Sequence, residues 1–278
     1  MSARSGRRRR PARTVTAVAL WASAVLLSGC GSAGTGQQTS AKGGVPLVEA
    51  GRLTVCTHLP DPPFQVEKDG EVVGFDVDLI DLVADELGVE QSVVDVPFET
   101  IRSAAALNAG QCDLAAAGFT ITEERRKNMS FSRPYYDADQ AVLTDKGAGV
   151  SSLADLRGRA VGSMTATTGE DYLRGKGLDP QSFVSTDAQL NALRTGQVDA
   201  VVQDLPVVQE WLRDSANSEF GIALRIETGE QFGFALRKDG TEKLLKVVDA
   251  TLQRARSDGT YDRLYEKWFG RAPEGATS

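Results

Sequence analysis

The stretch Gly74-Phe75-Asp76-Val77-Asp78-Leu79-Ile80-Asp81-Leu82-Val83-Ala84, continued by Asp85-Glu86-Leu87 to Gly88, has the clearest pattern in the chain. Leu79, Val83 and Leu87 recur at helical spacing with Ile80 and Ala84 beside them, so one face is apolar throughout. Asp76 and Asp78 stand in the first turn, where negative charge complements the helix dipole, and Gly88 supplies a stop. The spacing predicts a helix from Phe75 to Leu87. Upstream, Leu53-Thr54-Val55-Cys56-Thr57 reads as a strand. Downstream, Asp113 to Ala117 and Ala200 to Val202 are short apolar runs of the kind that parallel strands buried on both faces use. Strand, helix, strand with short connections predicts an α/β fold.

Further out, one arrangement occurs twice. Leu107-Asn108-Ala109-Gly110-Gln111-Cys112-Asp113 leads into an apolar run, and so does Leu193-Arg194-Thr195-Gly196-Gln197-Val198-Asp199. Each reads as a helix end, a Gly cap and an entering strand. Either the chain carries two related α/β lobes, or αβ connections have reused Gly by coincidence. Two lobes would put Gly118 and Asp204 at equivalent carboxyl ends of strands, where open α/β sheets bind ligands.

The N-terminus explains the charge. Arg7 to Arg10 and Arg13 precede the apolar run Val15 to Leu27, and Leu27-Ser28-Gly29-Cys30 follows. That run falls short of the ~20 residues of a membrane span and reads as a secretory signal. The small residues before Cys30 are similar to a bacterial lipobox, whose Cys is lipidated, against the alternative of an ordinary cleavage site with a chance Cys. Gly31 to Gly44 is rich in Gly, Ser, Thr and Gln, which predicts a tether over 30–46 and a folded body starting near Leu47, outside the cytoplasmic membrane. Six of the 31 basic residues precede Cys30, leaving 25 against 38 acidic ones, a balance of −13 that disfavours nucleic acid. The single His, His58, leaves no His-rich metal site and no Ser-His-Asp triad elsewhere in the chain. No cofactor or metal is expected.

With these residues in hand, the chain resembles the bacterial extracellular solute-binding proteins of family 3, which serve polar amino-acid ABC importers. The resemblance is carried by Gly74 to Ala84, Pro62-Pro63-Phe64, Gly118-Phe119-Thr120-Ile121-Thr122-Glu123-Glu124-Arg125, and Gly259-Thr260-Tyr261 with Lys267-Trp268-Phe269-Gly270. It covers roughly residues 51–270 and implies a two-lobed periplasmic-binding-protein fold of type II with two chain crossovers. Residues 1–29 are then a lipoprotein signal peptide. Lobe one takes 51–134 and 234–270, and lobe two takes 140–229, with hinges near 135–139 and 230–233. The implied activity is capture of a polar amino acid by lobe closure and delivery to an ABC permease, from a site lipid-anchored to the cell membrane. The ATPases are separate chains, and no Walker A pattern occurs here.

An amino acid taken out of water brings two charges that each need a fixed partner. Read alone, Glu123 to Lys127 is a solvated helix face. After Gly118 to Thr122, the resemblance makes Arg125 the carboxylate fork, Gly118 an acceptor for the ammonium, and Thr120 a ligand through backbone and hydroxyl. Asp204 is the implied partner of the ammonium, a role compatible with capping the helix ahead of Pro206. Thr167 and Thr168 belong to the second-lobe loop that binds the same carboxylate. The same resemblance places Cys56 and Cys112 on neighbouring strands of one lobe. With Cys30 lipidated, they are expected as a disulfide in an exported protein, the alternative being two free thiols.

The departures lie in the side-chain pocket. Relatives usually carry an acid where His58 stands and an aromatic where Asp61 stands. Phe98 is expected as an apolar wall, with Gln203 and Met164 opposite. If Asp61 faces the cleft, the ligand is glutamine, glutamate or a basic amino acid ahead of leucine or valine; otherwise Asp61 starts the turn at Pro62 and faces solvent. Two other function classes were weighed. A cleft enzyme similar to cyclohexadienyl dehydratase would recruit Glu99, Asp61 or Glu170 as general acid. A sensor module would call for a membrane helix after residue 270.

Overall fold

Gly74 explains why the helix Phe75–Leu87 begins where it does. Its φ is 155°, and a Cβ there would stand 1.9 Å from the Phe64 carbonyl oxygen, so only glycine lets the two backbones pass. The approach serves the helix: the Phe75 and Asp76 N–H groups, which no helical carbonyl can take, donate to the Pro63 and Phe64 carbonyls at 3.0 and 3.1 Å. The motif residues Pro62-Pro63-Phe64 and Gly74-Phe75-Asp76 are therefore one packing unit. At the other end Gly88 sits at φ 67° and caps the helix, and Phe75, Leu79, Ile80, Val83, Ala84 and Leu87 are buried.

The computed structural model describes residues 41–271 and Pro273. Cys30, the signal segment and most of the proposed tether lie outside the described residues. Two five-stranded sheets organise the chain. The first runs in the order Glu90–Asp95, Arg52–Thr57, Leu114–Ala115, Ala235–Arg237, Met129–Phe131, with the first three strands parallel and Ala235–Arg237 antiparallel to both its neighbours. The second runs Gln181–Phe183, Val161–Met164, Ala200–Asp204, Gln140–Asp145, Phe220–Ile226, the last two pairings antiparallel. The chain leaves the first sheet after Met129–Phe131 and rejoins it at Ala235–Arg237. Its two passages pair with each other as a short antiparallel ribbon, Tyr136–Asp137 against Gln231–Phe232. This is the two-lobed, twice-crossed arrangement expected.

An aromatic cluster lies beneath the ribbon. Phe64, Phe75, Tyr136 and Phe232 meet Tyr265 and Phe269 of the last helix, Thr260–Phe269, with centroids 4.5–6.5 Å apart. The Tyr261 hydroxyl and Arg256 both donate to the Tyr135 carbonyl, and Lys267 and Trp268 both donate to Asp78 at 2.6 Å. The closing motif thus ties the crossing segment to the first helix.

One boundary needs correcting. Ala41 and Val45, inside the expected tether 30–46, are buried at 6% and 2% exposure, and Lys42 N–H donates to the Leu87 carbonyl. Val45 is an apolar residue among glycines, and Gly43 and Gly44, at φ 79° and 68°, turn the chain so that it reaches the core. Packing therefore starts at least six residues before Leu47. Cys56 and Cys112 are joined by a disulfide with Cα atoms 5.6 Å apart.

Candidate functional site

The cleft between the sheets contains a small cavity of about 20 Å³ lined by His58, Asp61, Gln65, Phe98, Ala117, Gly118, Met164, Thr167, Gln203 and Asp204. On the first-lobe side, Gly118 follows Leu114–Ala115 at φ 53°. A Cβ there would meet Asp61 Oδ2 at 3.0 Å and Phe232 at 3.4 Å. Its N–H donates to Asp76 Oδ2 at 3.0 Å. Asp76 is 1% exposed, and burial pushes its carboxyl up to about 7 against the lowering effect of that N–H. Sequence reasoning assigned Asp76 to the helix dipole alone. Its role in fixing the Gly118 peptide depends on the distance between residues 76 and 118 closing in three dimensions, which no local pattern records.

Arg125 sits in the helix Glu123–Asn128, whose Thr122 cap accepts from the Arg125 N–H. The guanidinium is 5% exposed, lies 4.0 Å over the Phe119 ring, and donates to the Thr120 carbonyl at 2.8 Å and to the Ala166 carbonyl of the other lobe at 3.2 Å. Burial, then the charge of Arg102, lower it to about 10, while Asp171, Glu230 and Asp204 work the other way. Phe98 closes the same wall, edge-on to Phe119 at 5.7 Å.

On the second-lobe side, Thr167 caps the helix Thr168–Gly175, accepting from Glu170 N–H while its hydroxyl donates to the Met164 carbonyl. The Thr168 hydroxyl stands 3.5 Å from that of Thr120. Asp204 ends the strand Ala200–Asp204 and starts the next helix, with no side-chain cap bond of its own. Its carboxylate is instead held by the Gln140 amide, which also donates to Glu230 at 3.0 Å. Burial, then the charge of Glu230, push Asp204 up to about 8. Gln203 lines the cavity with its amide committed to Gln189 and to the Asp204 N–H.

His58 lies at the rim, with Nδ1 3.0 Å from the Val96 carbonyl and Nε2 3.0 Å from the Val184 carbonyl of the second lobe. The Thr186 hydroxyl donates to the Pro60 carbonyl at 2.7 Å beside it. These contacts, with Arg102 on Asp171 at 3.0 Å, hold the lobes together in a closed arrangement. No site role was legible for Gln140, Glu230, Ala166 and Val184: the first two meet Asp204 or each other only across the fold, and the last two contribute backbone carbonyls. The three carboxylates named for an enzymatic role part company. Glu99 is exposed on its helix, and Glu170 is consumed by Ser182, the Ala166 N–H and Arg174. Asp61 alone faces the cavity.

The family model for bacterial extracellular solute-binding proteins, family 3, matches residues 53–271. A protein of Neisseria gonorrhoeae named "Probable histidine-binding protein" is 33% identical over 264 residues, covering 92% of this chain and 95% of that one. A solved structure described as an ancestral arginine-binding protein bound to glutamine is 37% identical, with a TM-score of 0.75, covering 80% of this chain and 100% of that one. The ancestral amino acid-binding protein AncCDT-1, described as a precursor of cyclohexadienyl dehydratase, is 33% identical with a TM-score of 0.71, covering 79% and 95%. The chain belongs to family 3 of the bacterial extracellular solute-binding proteins.

Proposed function

We propose that this protein captures a free polar amino acid outside the cytoplasm by closing its lobes and delivers it to the permease of an ABC importer. The observation that carries the reading is a pair of complementary ionisable groups at the cleft: buried Arg125, which reaches the Ala166 carbonyl of the other lobe, and Asp204, which lines the cavity from that lobe. They match the two charges of an amino acid, the carboxylate on Arg125 and the ammonium on Asp204 with the Gly118 carbonyl. Thr120, Thr167 and Thr168 add hydroxyls and backbone, and Phe98, Gln203, His58 and Asp61 surround the side chain. Closure is favoured because the closed form alone engages both lobes' groups. In this reading lobe one comprises 51–134 and 234–270, lobe two comprises 140–229, and segments 135–139 and 230–233 flex.

The same proposal takes residues 1–29 as a lipoprotein signal and Cys30 as the acylated anchor, with residues 30–40 as tether. The relatives named above are all called binding proteins, which supports transport over catalysis even with a dehydratase precursor among them. A thermal-shift screen of the purified protein against the common amino acids tests the reading: a ligand at 100 times its Kd adds ~2.7 kcal/mol. A screen with no shift would sink it. Cys30→Ala should move the protein from membrane to soluble fractions.

A further inference from the structure

The cavity holds acceptors in excess of donors, and the excess lies away from Arg125. The Asp61 backbone makes the turn at Pro62: its N–H donates to the Gln65 carbonyl at 2.8 Å, and its carbonyl accepts from Phe64 N–H at 2.9 Å. Its side chain is left for the cleft, reaching the space beside Gly118. Among the described residues no donor reaches that carboxylate. Gln65, 1% exposed and lining the same cavity, donates its amide to the His58 carbonyl and keeps a buried Oε1 without a donor. Two donor-bearing side chains of the cleft point elsewhere. Both His58 ring nitrogens face the Val96 and Val184 carbonyls, and Arg125 is turned to Thr120 and Ala166.

We propose that the site takes an amino acid with a positively charged side chain, and that Asp61 is the residue that selects the charge. The inference rests on the amino-acid reading above and narrows it. A zwitterion brings no net charge, so it satisfies Arg125 and Asp204 and leaves Asp61 and Gln65 Oε1 as they were. An aliphatic side chain offers them nothing. An acidic one adds negative charge where ionisation of Asp61, Asp76 and Asp204 is already disfavoured: burial first, then the proximity of Asp204 and Asp76, holds the Asp61 carboxyl well above the usual carboxylate range. A neutral amide supplies N–H groups for Gln65 but no charge for Asp61. A guanidinium or ammonium supplies both.

Calorimetry with arginine, lysine, citrulline and glutamine on the purified protein at pH 7.5 tests this, because citrulline has nearly the shape of arginine without its charge. Arginine or lysine should bind at least about tenfold tighter than citrulline. In Asp61→Asn that ratio should fall to within about twofold. Citrulline or glutamine matching the cations in the native protein would overturn the charge selection without any variant, and so would an unchanged ratio in Asp61→Asn. Tight glutamine binding with weak cations would defeat this inference and leave the amino-acid reading standing. Binding of none of the four, together with a silent screen, would defeat both.

Discussion

In the first lobe Asp113 takes the N–H groups of Thr54 and Val48 at 2.8 and 2.7 Å; in the second, Asp199 takes that of Ala160 at 2.7 Å. Each Asp follows a glycine in the left-handed region, Gly110 at φ 67° and Gly196 at φ 70°, and each pins the entering strand to the start of its neighbour. The sequence echo is one structural device used twice. What surrounds it differs. The first lobe carries the disulfide, most of the aromatic cluster and the guanidinium clamp. The second meets the cleft mainly with carbonyls, hydroxyls and Asp204. The same connection thus supports a braced platform in one lobe and a hydrogen-bonding cover in the other.

Four tests by substitution would break or sharpen that comparison. Arg125→Ala should have the largest effect: ligand affinity falls more than a hundredfold, on the order of 3–5 kcal/mol, with the melting curve of the free protein still cooperative. Near-normal affinity by calorimetry would move the charge clamp off the platform. Replacing Cys56 and Cys112 together by Ser should cost up to about 4 kcal/mol of stability in denaturant, the loop-entropy figure for a separation of 56 residues. A loss below ~1 kcal/mol would show the platform needs no brace.

Asp113→Ala, which strands the N–H groups of Thr54 and Val48, should cost about 1–3 kcal/mol, and Asp199→Ala, whose Ala160 N–H is exposed, no more than that. Losses differing by more than that range would argue against equivalence. A pH effect with a definite sign concerns Asp204, which binds its proton up to about 8 when folded and near the ordinary 3.8 when unfolded. Between pH 4 and 8 the folded protein therefore holds the extra proton, and stability declines as pH rises through this window. Asp204→Asn should leave the ligand-free melting temperature unchanged at pH 4 and raise it at pH 8 while weakening binding. A variant less stable at pH 8 would contradict the sign.

Much of the platform was legible because its determinants are local. The helix Phe75–Leu87 declares itself in its own spacing, and Gly88 stops it. The tether boundary was misread because two buried side chains, Ala41 and Val45, outweigh a glycine-rich composition once Leu87 offers its carbonyl to Lys42. The cover was less legible. Gln140 reaches Asp204 and Glu230 across 64 and 90 residues, and Ala166 and Val184 contribute carbonyls that every residue type possesses. Whether Asp61 turned inward was open from the sequence, since Asp before Pro62 serves a turn equally well; its backbone makes the turn and its carboxylate faces the cleft.

The hold on Arg125 has a consequence in conformational entropy. A free arginine side chain has roughly 2 kcal/mol of rotamer freedom to lose when it is fixed. Here the chain is stacked on Phe119 and its fork is aimed by the Thr120 carbonyl within its own lobe, so that freedom is surrendered during folding. Those two bonds occupy two of the guanidinium's five N–H groups, and three remain for an incoming anion. An arriving carboxylate meets a receptor that needs no further ordering, and its attraction to the fork registers in affinity without that deduction.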